Sequence, residues 1–193
     1  MDAASLFNVK DKIVLVTGGA KGIGLMISEG FVANGATLED CKALVASLAA
    51  ATGGKLHVLV NNSGAAWGDS FDTYPDAAWT KLLTLNLQRV FSLTQLAAPL
   101  LEAGSKEGDP SRIINIGSVD GLRVPRSFAY SASKAGLHHL SRALARELGP
   151  RGVTSNTLAC GPFESKMMKA TLDSMRATIE EEIPMRRIGT PQD

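Results

Sequence analysis

The sequence is poor in cysteine, in aromatic side chains and in net charge. Its two cysteines, Cys41 and Cys160, cannot build a framework of disulfide bonds, which favours a reducing compartment. The chain carries a net charge of +1 and 5% aromatic residues. It therefore lacks the positive field and the stacking side chains that are typical of nucleic-acid-binding domains. We expect no nucleic-acid partner.

Long apolar runs and clusters of metal ligands are also missing. No stretch reaches the roughly 20 apolar residues that a membrane-spanning helix needs, and residues 1–7 lack the basic segment of a secretory signal. The three histidines, His57, His138 and His139, have no cysteine or carboxylate partners at the spacing of a metal site. These absences predict a cytoplasmic protein with no membrane contact and no metal ion.

Strands and helices alternate along the remaining sequence. With 193 residues and 45% hydrophobic content, the chain can bury one sizeable core, so residues 1–193 are interpreted as a single domain. Short apolar runs predict buried strands, and segments rich in alanine and leucine predict helices. The predicted strands are residues 12–17, 56–60, 112–117 and 153–158. The predicted helices are residues 23–34, 40–51, 131–148 and 165–182, and residues 76–102 are predicted to form either one long helix or two consecutive helices. This alternation predicts an α/β fold with a parallel sheet and right-handed crossovers.

A glycine-rich segment, residues 17–24, joins the first predicted strand to the first predicted helix. Gly18, Gly22 and Gly24 allow a tight turn and a close approach of the backbone to a ligand. The start of the helix would offer free N–H groups and the positive end of its dipole to a phosphate. The spacing G-x-x-x-G-x-G differs from the more common dinucleotide motif G-x-G-x-x-G. A glycine-rich turn without a ligand is the alternative interpretation.

Tyr130 and Lys134 are the pair with the clearest chemical meaning. Positions i and i+4 of a helix share one face, so a phenol would lie beside an ammonium. The positive charge would favour the phenolate and lower the tyrosine pKa from its ordinary value near 10. The pair would then be a proton donor that works near neutral pH. An exposed tyrosine and lysine at helical spacing are also common by chance, so the pair needs support from the rest of the chain.

Further residues follow the order of motifs in the short-chain dehydrogenase/reductase family. After the glycine loop come residues 61–64 (Asn-Asn-Ser-Gly), then Asn86, then Ser118 at a strand end, and then Tyr130 with Lys134. The sequence resembles this family over almost its whole length. The surroundings of residues 61–64 and of Ser118 are most similar to 3-oxoacyl-thioester reductases of the rhamnolipid-synthesis type. The resemblance implies a Rossmann-like, doubly wound parallel sheet with a cofactor crevice at the carboxyl ends of its strands.

The same resemblance assigns catalytic roles. Ser118 would donate a hydrogen bond to a substrate carbonyl, and Tyr130 would protonate the carbonyl oxygen as hydride arrives from a nicotinamide. Lys134 would lower the Tyr130 pKa and bind the nicotinamide ribose, and Asn86 would hold a water in a proton relay. Taken singly, Ser118 could be a turn serine and Asn86 a capping or buried amide.

The implied activity is the reduction of a 3-oxoacyl group or a similar small-molecule ketone. A dehydrogenase of the alcohol or steroid type and a catalytically silent nucleotide-binding member of the family are the alternatives. NADP(H) is favoured over NAD(H), because Lys21 beside Gly22 suits a 2′-phosphate, although Lys21 could equally be a solvated loop residue. The expected cofactor-binding residues are Gly18, Lys21, Gly22, Ile23, Gly24, Asn62, Gly64, Tyr130, Lys134 and Phe163.

The sequence departs from the family between Gly35 and Lys55. This stretch has room for about one helix, whereas a doubly wound fold needs further strands there, and the chain reaches Asp193 before the family's last helix and strand. We expect a domain that lacks these segments after its first helix and at its C-terminus. Either the sequence joins the ordered parts of a longer chain whose mobile loops are omitted, or the segments are absent. The former is favoured, because the cuts fall at cofactor and substrate loops.

Residues 79–101 and 132–148 carry apolar side chains on more than one side of each predicted helix. Such helices often pair with a second subunit, so we predict a homodimer or homotetramer. Residues 163–185 contain four methionines. We interpret this segment as a flexible lid over an apolar substrate, with ordinary core packing of the methionines as the alternative.

Overall fold

A four-stranded parallel sheet forms the centre of the computed structural model, which describes residues 9, 11–18, 38–123, 127–165 and 167–190. The strands are β1 (Val14–Val16), β2 (Val58–Asn61), β3 (Ser111–Ile116) and β4 (Val153–Leu158). The helices among the described residues are α1 (Leu38–Thr52), α2 (Asp76–Leu83), α3 (Arg89–Gly104), α4 (Phe128–Leu148) and α5 (Lys169–Glu182). A π-helical turn, Thr84–Gln88, joins α2 to α3. The strands follow one another across the sheet in chain order, so the fold class is confirmed as a parallel α/β sheet.

The sequence patterns locate most of these elements well. The predicted strands are all found, and their ends differ from the prediction by at most two residues. Helix α4 begins at Phe128, three residues earlier than predicted, because Ser127 is extended and the chain turns helical directly after it. Helix α5 begins at Lys169, later than predicted. The predicted helix 23–34 lies outside the described residues.

The main core lies between one face of the sheet and helices α1, α3 and α4. Leu15, Leu59 and Ile113 stand in register on three adjacent strands and point to this face. Leu101 of α3 and Leu144 of α4 pack in the same cluster. Burying such a side chain stabilises the fold by about 2 kcal/mol. Because side chains alternate along a strand, a smaller cluster of Val16, Val60 and Ile116 lies on the opposite face.

A buried polar network ties the strands together near their carboxyl ends. The Asn61 amide donates to Asn115 Oδ1 at 2.9 Å and to Thr94 Oγ1 at 3.2 Å. The Asn115 amide donates in turn to Ser141 Oγ at 3.1 Å and Ser155 Oγ at 3.2 Å. Buried polar groups are tolerated when they satisfy one another in this way. The network therefore fixes β2, β3 and β4 against α3 and α4 at the edge where the candidate site lies.

The described sheet corresponds to one half of a doubly wound fold. Within the described residues, β1 pairs with β2 and with no second strand, whereas a doubly wound sheet continues past its first strand. The strands that would continue the sheet beyond β1 are the ones for which the stretch between Gly35 and Lys55 is too short. The spacing of consecutive Cα atoms would show whether a loop has been left out of the sequence or is absent from the protein. That spacing concerns residues 19–37, which lie outside the described residues, so the choice between the two explanations stays a prediction.

Candidate active site

The loops after β1 and β2 meet at the carboxyl edge of the sheet. The backbone N–H groups of Asn62 and Ser63 donate to Thr17 Oγ1 at 2.9 and 3.0 Å, and the Asn62 side chain donates to the Thr17 carbonyl at 2.9 Å. Gly18 has φ +66°, and a Cβ added to it would lie 3.0 Å from Asn62 Nδ2. A side chain at position 18 would therefore be strained and crowded. The structure brings Gly18 and Asn62, two predicted cofactor residues, together, while Lys21, Gly22, Ile23 and Gly24 lie outside the described residues.

Tyr130 and Lys134 lie on the first turns of α4, and their predicted shared face is confirmed. Lys134 Nζ lies 5.8 Å from the centroid of the Tyr130 ring. The lysine is only 5% exposed, and its ammonium donates to the carbonyl oxygen of Ile116 at 2.7 Å. A buried charge needs such partners. An ammonium has three N–H donors, so it can serve further acceptors beside the one on β3.

Asn86 joins this group through the π-helical turn between α2 and α3. Its side chain is fully buried. The amide oxygen accepts from the backbone N–H of Ala65 at 2.9 Å, and the amide nitrogen donates to the Ala65 carbonyl at 2.9 Å and to Ser133 Oγ at 3.0 Å. A Cβ on Gly64 would lie 3.3 Å from Asn86 Oδ1 and 3.8 Å from Lys134 Nζ. Asn86 therefore clamps the loop after β2 against α4, with Gly64 between it and the lysine.

Ser118 follows the end of β3 and faces the tyrosine. Its Oγ accepts from the backbone N–H of Asp120 at 3.1 Å, so it caps a short 3₁₀ turn, Val119–Gly121. The Ser118 hydroxyl also lies close enough to Tyr130 to lower the pKa of that phenol. The two hydroxyls are therefore neighbours, and each can donate a hydrogen bond to a ligand.

The charge states of the pair differ from the sequence-based expectation. Burial raises the pKa of Tyr130, the Ser118 hydrogen bond partly opposes that rise, and Asp120 and Cys160 add to it. The sequence predicted that Lys134 would lower this pKa, but the ammonium faces the Ile116 carbonyl and the ring of the tyrosine. Burial also lowers the pKa of Lys134 to about 8. Of the two groups, the lysine therefore has the pKa that lies nearer to neutral pH.

The segment after β4 folds back on itself beside the site. Phe163 pairs with Gly189, where a Cβ would lie 2.5 Å from the phenylalanine ring. The structure therefore places Phe163 against Gly189, and a contact of Phe163 with a cofactor stays a prediction. None of the four methionines in residues 163–185 is buried, and Met167 and Met185 are 48% and 68% exposed. The alternative prediction, that these methionines pack in the core, is therefore wrong, and the flexible lid stays a prediction.

Two features near the site were not predicted from the sequence. Phe128, two residues before Tyr130, makes edge contacts with Phe71 and Tyr74, at ring distances of 5.8 and 5.4 Å. His138 accepts a hydrogen bond from the backbone of Ser118. Aromatic residues so far apart along the chain give no periodic signal, and a histidine on a helix is an ordinary surface residue until its neighbours are known.

The described residues carry neither a membrane-spanning helix nor a group of three metal-binding side chains. No helix within the described ranges is long and apolar enough to cross a bilayer. No three His, Cys, Asp or Glu side chains of the same residues come together as ligands.

Comparison with known proteins shows the family of the chain. Residues 36–176 match the family model described as short chain dehydrogenase. The chain is 35% identical to the rhamnolipids biosynthesis 3-oxoacyl-[acyl-carrier-protein] reductase of Pseudomonas aeruginosa, with 97% of this chain and 87% of that protein covered. It is 33% identical to the 3-oxoacyl-[acyl-carrier-protein] reductase FabG of Escherichia coli strain K12, with 96% and 87% covered.

Among solved structures, the Pseudomonas aeruginosa RhlG/NADP active-site complex superposes with a TM-score of 0.90 at 33% identity. The superposition covers 96% of this chain and 87% of that one. The alignment with the rhamnolipid reductase runs over 223 positions, more than the 193 residues of the chain. The relative therefore has segments that this chain lacks, and their location between Gly35 and Lys55 stays a prediction. By sequence and by fold the chain belongs to the short-chain dehydrogenase family, and it is an oxidoreductase of that family.

Proposed function

We propose that the chain is an NADP(H)-dependent carbonyl reductase that acts on a 3-oxoacyl thioester or a similar ketone, with Tyr130 as the proton donor. One observation carries this proposal: Ser118, at the carboxyl edge of the sheet, lies close enough to Tyr130 to lower the pKa of the phenol, and the buried Lys134 ammonium lies 5.8 Å from the centroid of the tyrosine ring. Two hydroxyl donors can grip a carbonyl oxygen, and one of them can protonate it. The names of the two 3-oxoacyl reductases support the substrate class.

The described residues fit a nicotinamide dinucleotide. Gly18, in its left-handed conformation, packs against Asn62 and Ser63 without a side chain, so the loop after β1 can present bare backbone to a ligand. The Lys134 ammonium, with one donor on Ile116, has further donors for the hydroxyls of a ribose. A bound cofactor of this kind supplies the hydride. The NADP complex among the similar structures supports the phosphorylated form, and the role of Lys21 stays a prediction.

Each residue of the site then has its own role in the reduction of the substrate. Ser118 donates a hydrogen bond to the carbonyl oxygen, and Tyr130 transfers its proton to the same oxygen as negative charge develops there. Lys134, with a pKa of about 8, can replace the proton that Tyr130 has lost. A water relay at Asn86 cannot use the side-chain N–H donors, because both are bound to Ala65 and Ser133.

A substrate panel separates this proposal from its alternatives. We expect oxidation of NADPH, faster than that of NADH, with 3-oxoacyl thioesters among the best substrates. An alcohol or steroid dehydrogenase of the same family would prefer aliphatic alcohols or steroid ketones. A catalytically silent member would bind NADPH, visible as a change in its fluorescence, without oxidising it in the presence of any ketone, and that result would refute the reductase.

The proposal further places the reaction in one domain in the cytoplasm. A single core cluster contains residues from Leu15 of β1 to Val153 of β4, which supports one folding unit. Cys41 and Cys160 are free thiols, as is usual in a reducing compartment. The domain boundary is tested by limited proteolysis, which should find no stable smaller fragment.

We also propose a homodimer through α3 and α4. A groove of about 660 Å³ lies between α4 on one side and the end of α2, the π-helical turn and the start of α3 on the other, and it is lined mainly by apolar side chains. Its lining residues are Thr80, Leu83, Thr84, Leu87, Gln88, Phe91, Gly136, His139, Leu140 and Ala143. Phe91 is 44% exposed at this groove. A second copy presents the same two helices, so a two-fold contact would cover both grooves at once.

Replacing Phe91 by aspartate tests the dimer. We expect the wild-type chain to sediment as a dimer or tetramer, and Phe91→Asp to shift it towards the monomer, because a charge would be buried in the contact. Thr178→Asp, on the exposed side of α5, is the control and should leave the sedimentation unchanged. A monomeric wild-type chain at micromolar concentration would contradict the dimer without touching the chemistry at Tyr130.

A further inference from the structure

His138 reaches from α4 to the backbone of the candidate catalytic serine. It lies one turn after Lys134 on the same helix, and its Nε2 accepts a hydrogen bond from the backbone N–H of Ser118 at 3.3 Å. The contact depends on the glycine before the serine. A Cβ added to Gly117 would lie 2.4 Å from His138 Nε2, so any larger residue there would displace the imidazole.

The imidazole accepts the first backbone hydrogen bond beyond the end of the β3–β4 ladder. The N–H of Gly117 still donates to the Leu158 carbonyl, at 2.8 Å, as the next step of the β3–β4 ladder. The following N–H, that of Ser118, donates to His138 instead. On its other side Ser118 is held by the bond from the Asp120 N–H to its Oγ. Two hydrogen bonds therefore fix the position of the serine hydroxyl, one at the Ser118 N–H and one at its Oγ. The partner in the first bond, the His138 imidazole, is a titratable group.

We propose that His138 is a positioning residue, which holds Ser118 in its catalytic place through a neutral imidazole and releases it when the imidazole is protonated. The proposal rests on the proposed function, since it gives Ser118 the role of binding the substrate carbonyl. His138 itself bonds to the backbone of Ser118 and fills the space beside Gly117. Its effect on the reaction is therefore exerted through the serine.

The switch follows from the chemistry of the ring. An imidazole nitrogen accepts a hydrogen bond only when it carries no proton, and both nitrogens are donors in the charged form. Protonation would set an N–H of His138 against the N–H of Ser118, so the bond would become a repulsion. The neutral ring that accepts through Nε2 carries its proton on Nδ1.

The surroundings keep the ring neutral down to mildly acidic pH. Burial lowers the pKa of His138 below its ordinary value of 6.5, and the positive charges of Lys134 and Arg142 on the same helix lower it further. Gly117 and Ser118, which follow the end of β3 and lie against the ring, carry no charge. The turn after Ser118 carries Asp120, whose carboxylate pairs with Arg123. The release of Ser118 should therefore occur at a pH below 6.5.

Two replacements of His138 test the proposal through the pH profile of turnover. Glutamine keeps an acceptor oxygen at every pH, and leucine keeps bulk without an acceptor. We expect the wild-type kcat to fall on the acid side below pH 6.5. His138→Gln should lose that fall and keep kcat at pH 7.5 within about threefold. His138→Leu should lose roughly tenfold to a hundredfold in kcat at pH 7.5, because a misplaced catalytic group costs rates of this order, with the KM for NADPH within about twofold.

His57 provides a matched control. Its Nδ1 accepts from the backbone N–H of Ile13 at 2.9 Å, and burial lowers its pKa too, but it precedes β2 at the opposite edge of the sheet. His57→Gln and His57→Leu should change thermal stability and leave the pH profile of kcat unchanged. A His138→Gln variant with the acid fall of the wild type, or a His138→Leu variant with wild-type kcat, would overturn the proposal.

A measurement without turnover separates this proposal from the proposed function. The backbone amide signal of Ser118 in a ¹⁵N-labelled sample should titrate with the His138 ring, below pH 6.5, and should not titrate in His138→Gln. If the reductase activity is wrong, turnover is absent while this titration remains. If only the role of His138 is wrong, turnover is present and the Ser118 amide signal does not follow the ring.

Discussion

Tyr130→Phe is expected to lower kcat by about a hundredfold to ten-thousandfold, the range that a positioned general acid contributes. The change removes one hydroxyl and keeps the ring that lies 5.8 Å from Lys134 Nζ. Packing and NADPH binding should therefore survive, and the loss should appear in kcat rather than in the affinity for NADPH. Single-turnover oxidation of NADPH, together with a fluorescence titration of NADPH binding, separates the two quantities.

The second tyrosine of the chain is the control for this variant. Tyr74 is partly exposed, and its hydroxyl makes a long bond of 3.4 Å to the Trp67 carbonyl. Tyr74→Phe removes the same atom at a place where no proton transfer is proposed, and kcat should stay within about twofold. Wild-type turnover in Tyr130→Phe would show that another group protonates the substrate.

Lys134→Met should lose at least about a hundredfold in kcat/KM and should raise the KM for NADPH. Methionine has a similar length and no charge, so the variant loses the donors for a ribose and the exchangeable proton beside Tyr130. The lysine is 5% exposed, and burying a charge is costly. Thermal stability should therefore stay the same or rise. A loss of activity without a loss of stability would mark a functional lysine.

The pH dependence of stability gives a second result for the same variant. The folded-state pKa of Lys134, about 8, lies below the ordinary value of 10.5. Between these values the unfolded chain binds a proton that the folded chain has released, so the free energy of unfolding rises with pH. The wild type should show this rise from about pH 8 to 10, and Lys134→Met should not. Lys42→Met, at an exposed ion pair on α1, should keep the rise; a wild type without it would contradict the burial of the charge.

The sequence predicts the scaffold of the site better than its electrostatics. Helical spacing places Tyr130 beside Lys134, and the position of Ser118 after an apolar strand places it at the carboxyl edge. The rise in the Tyr130 pKa could not be predicted this way, because it depends on how deeply the ring is buried and where the Lys134 ammonium points. Spacing fixes which residues are neighbours but leaves open which atom a flexible side chain faces.

Contacts between distant segments were also beyond the sequence patterns. Residues 76–102, predicted as one long helix or two consecutive helices, form α2 and α3 with a π-helical turn around Asn86 between them. The Asn86 side chain bonds there to Ala65 and Ser133 from other segments. The bond from Ser118 to His138 depends on the missing Cβ of Gly117. No local propensity reports such contacts, since they arise only when the sheet and α4 have packed together.

The transfer of a labelled hydride is the most direct test of the central claim. NADPH carrying deuterium at the transferred position of its nicotinamide is mixed with the chain and a 3-oxoacyl thioester, and the product is analysed by mass spectrometry and NMR. We predict a 3-hydroxyacyl thioester with one deuterium on the carbon that bore the carbonyl, and little of it with Tyr130→Phe. NADPH that binds but leaves every ketone of the panel unreduced and unlabelled would contradict the assignment.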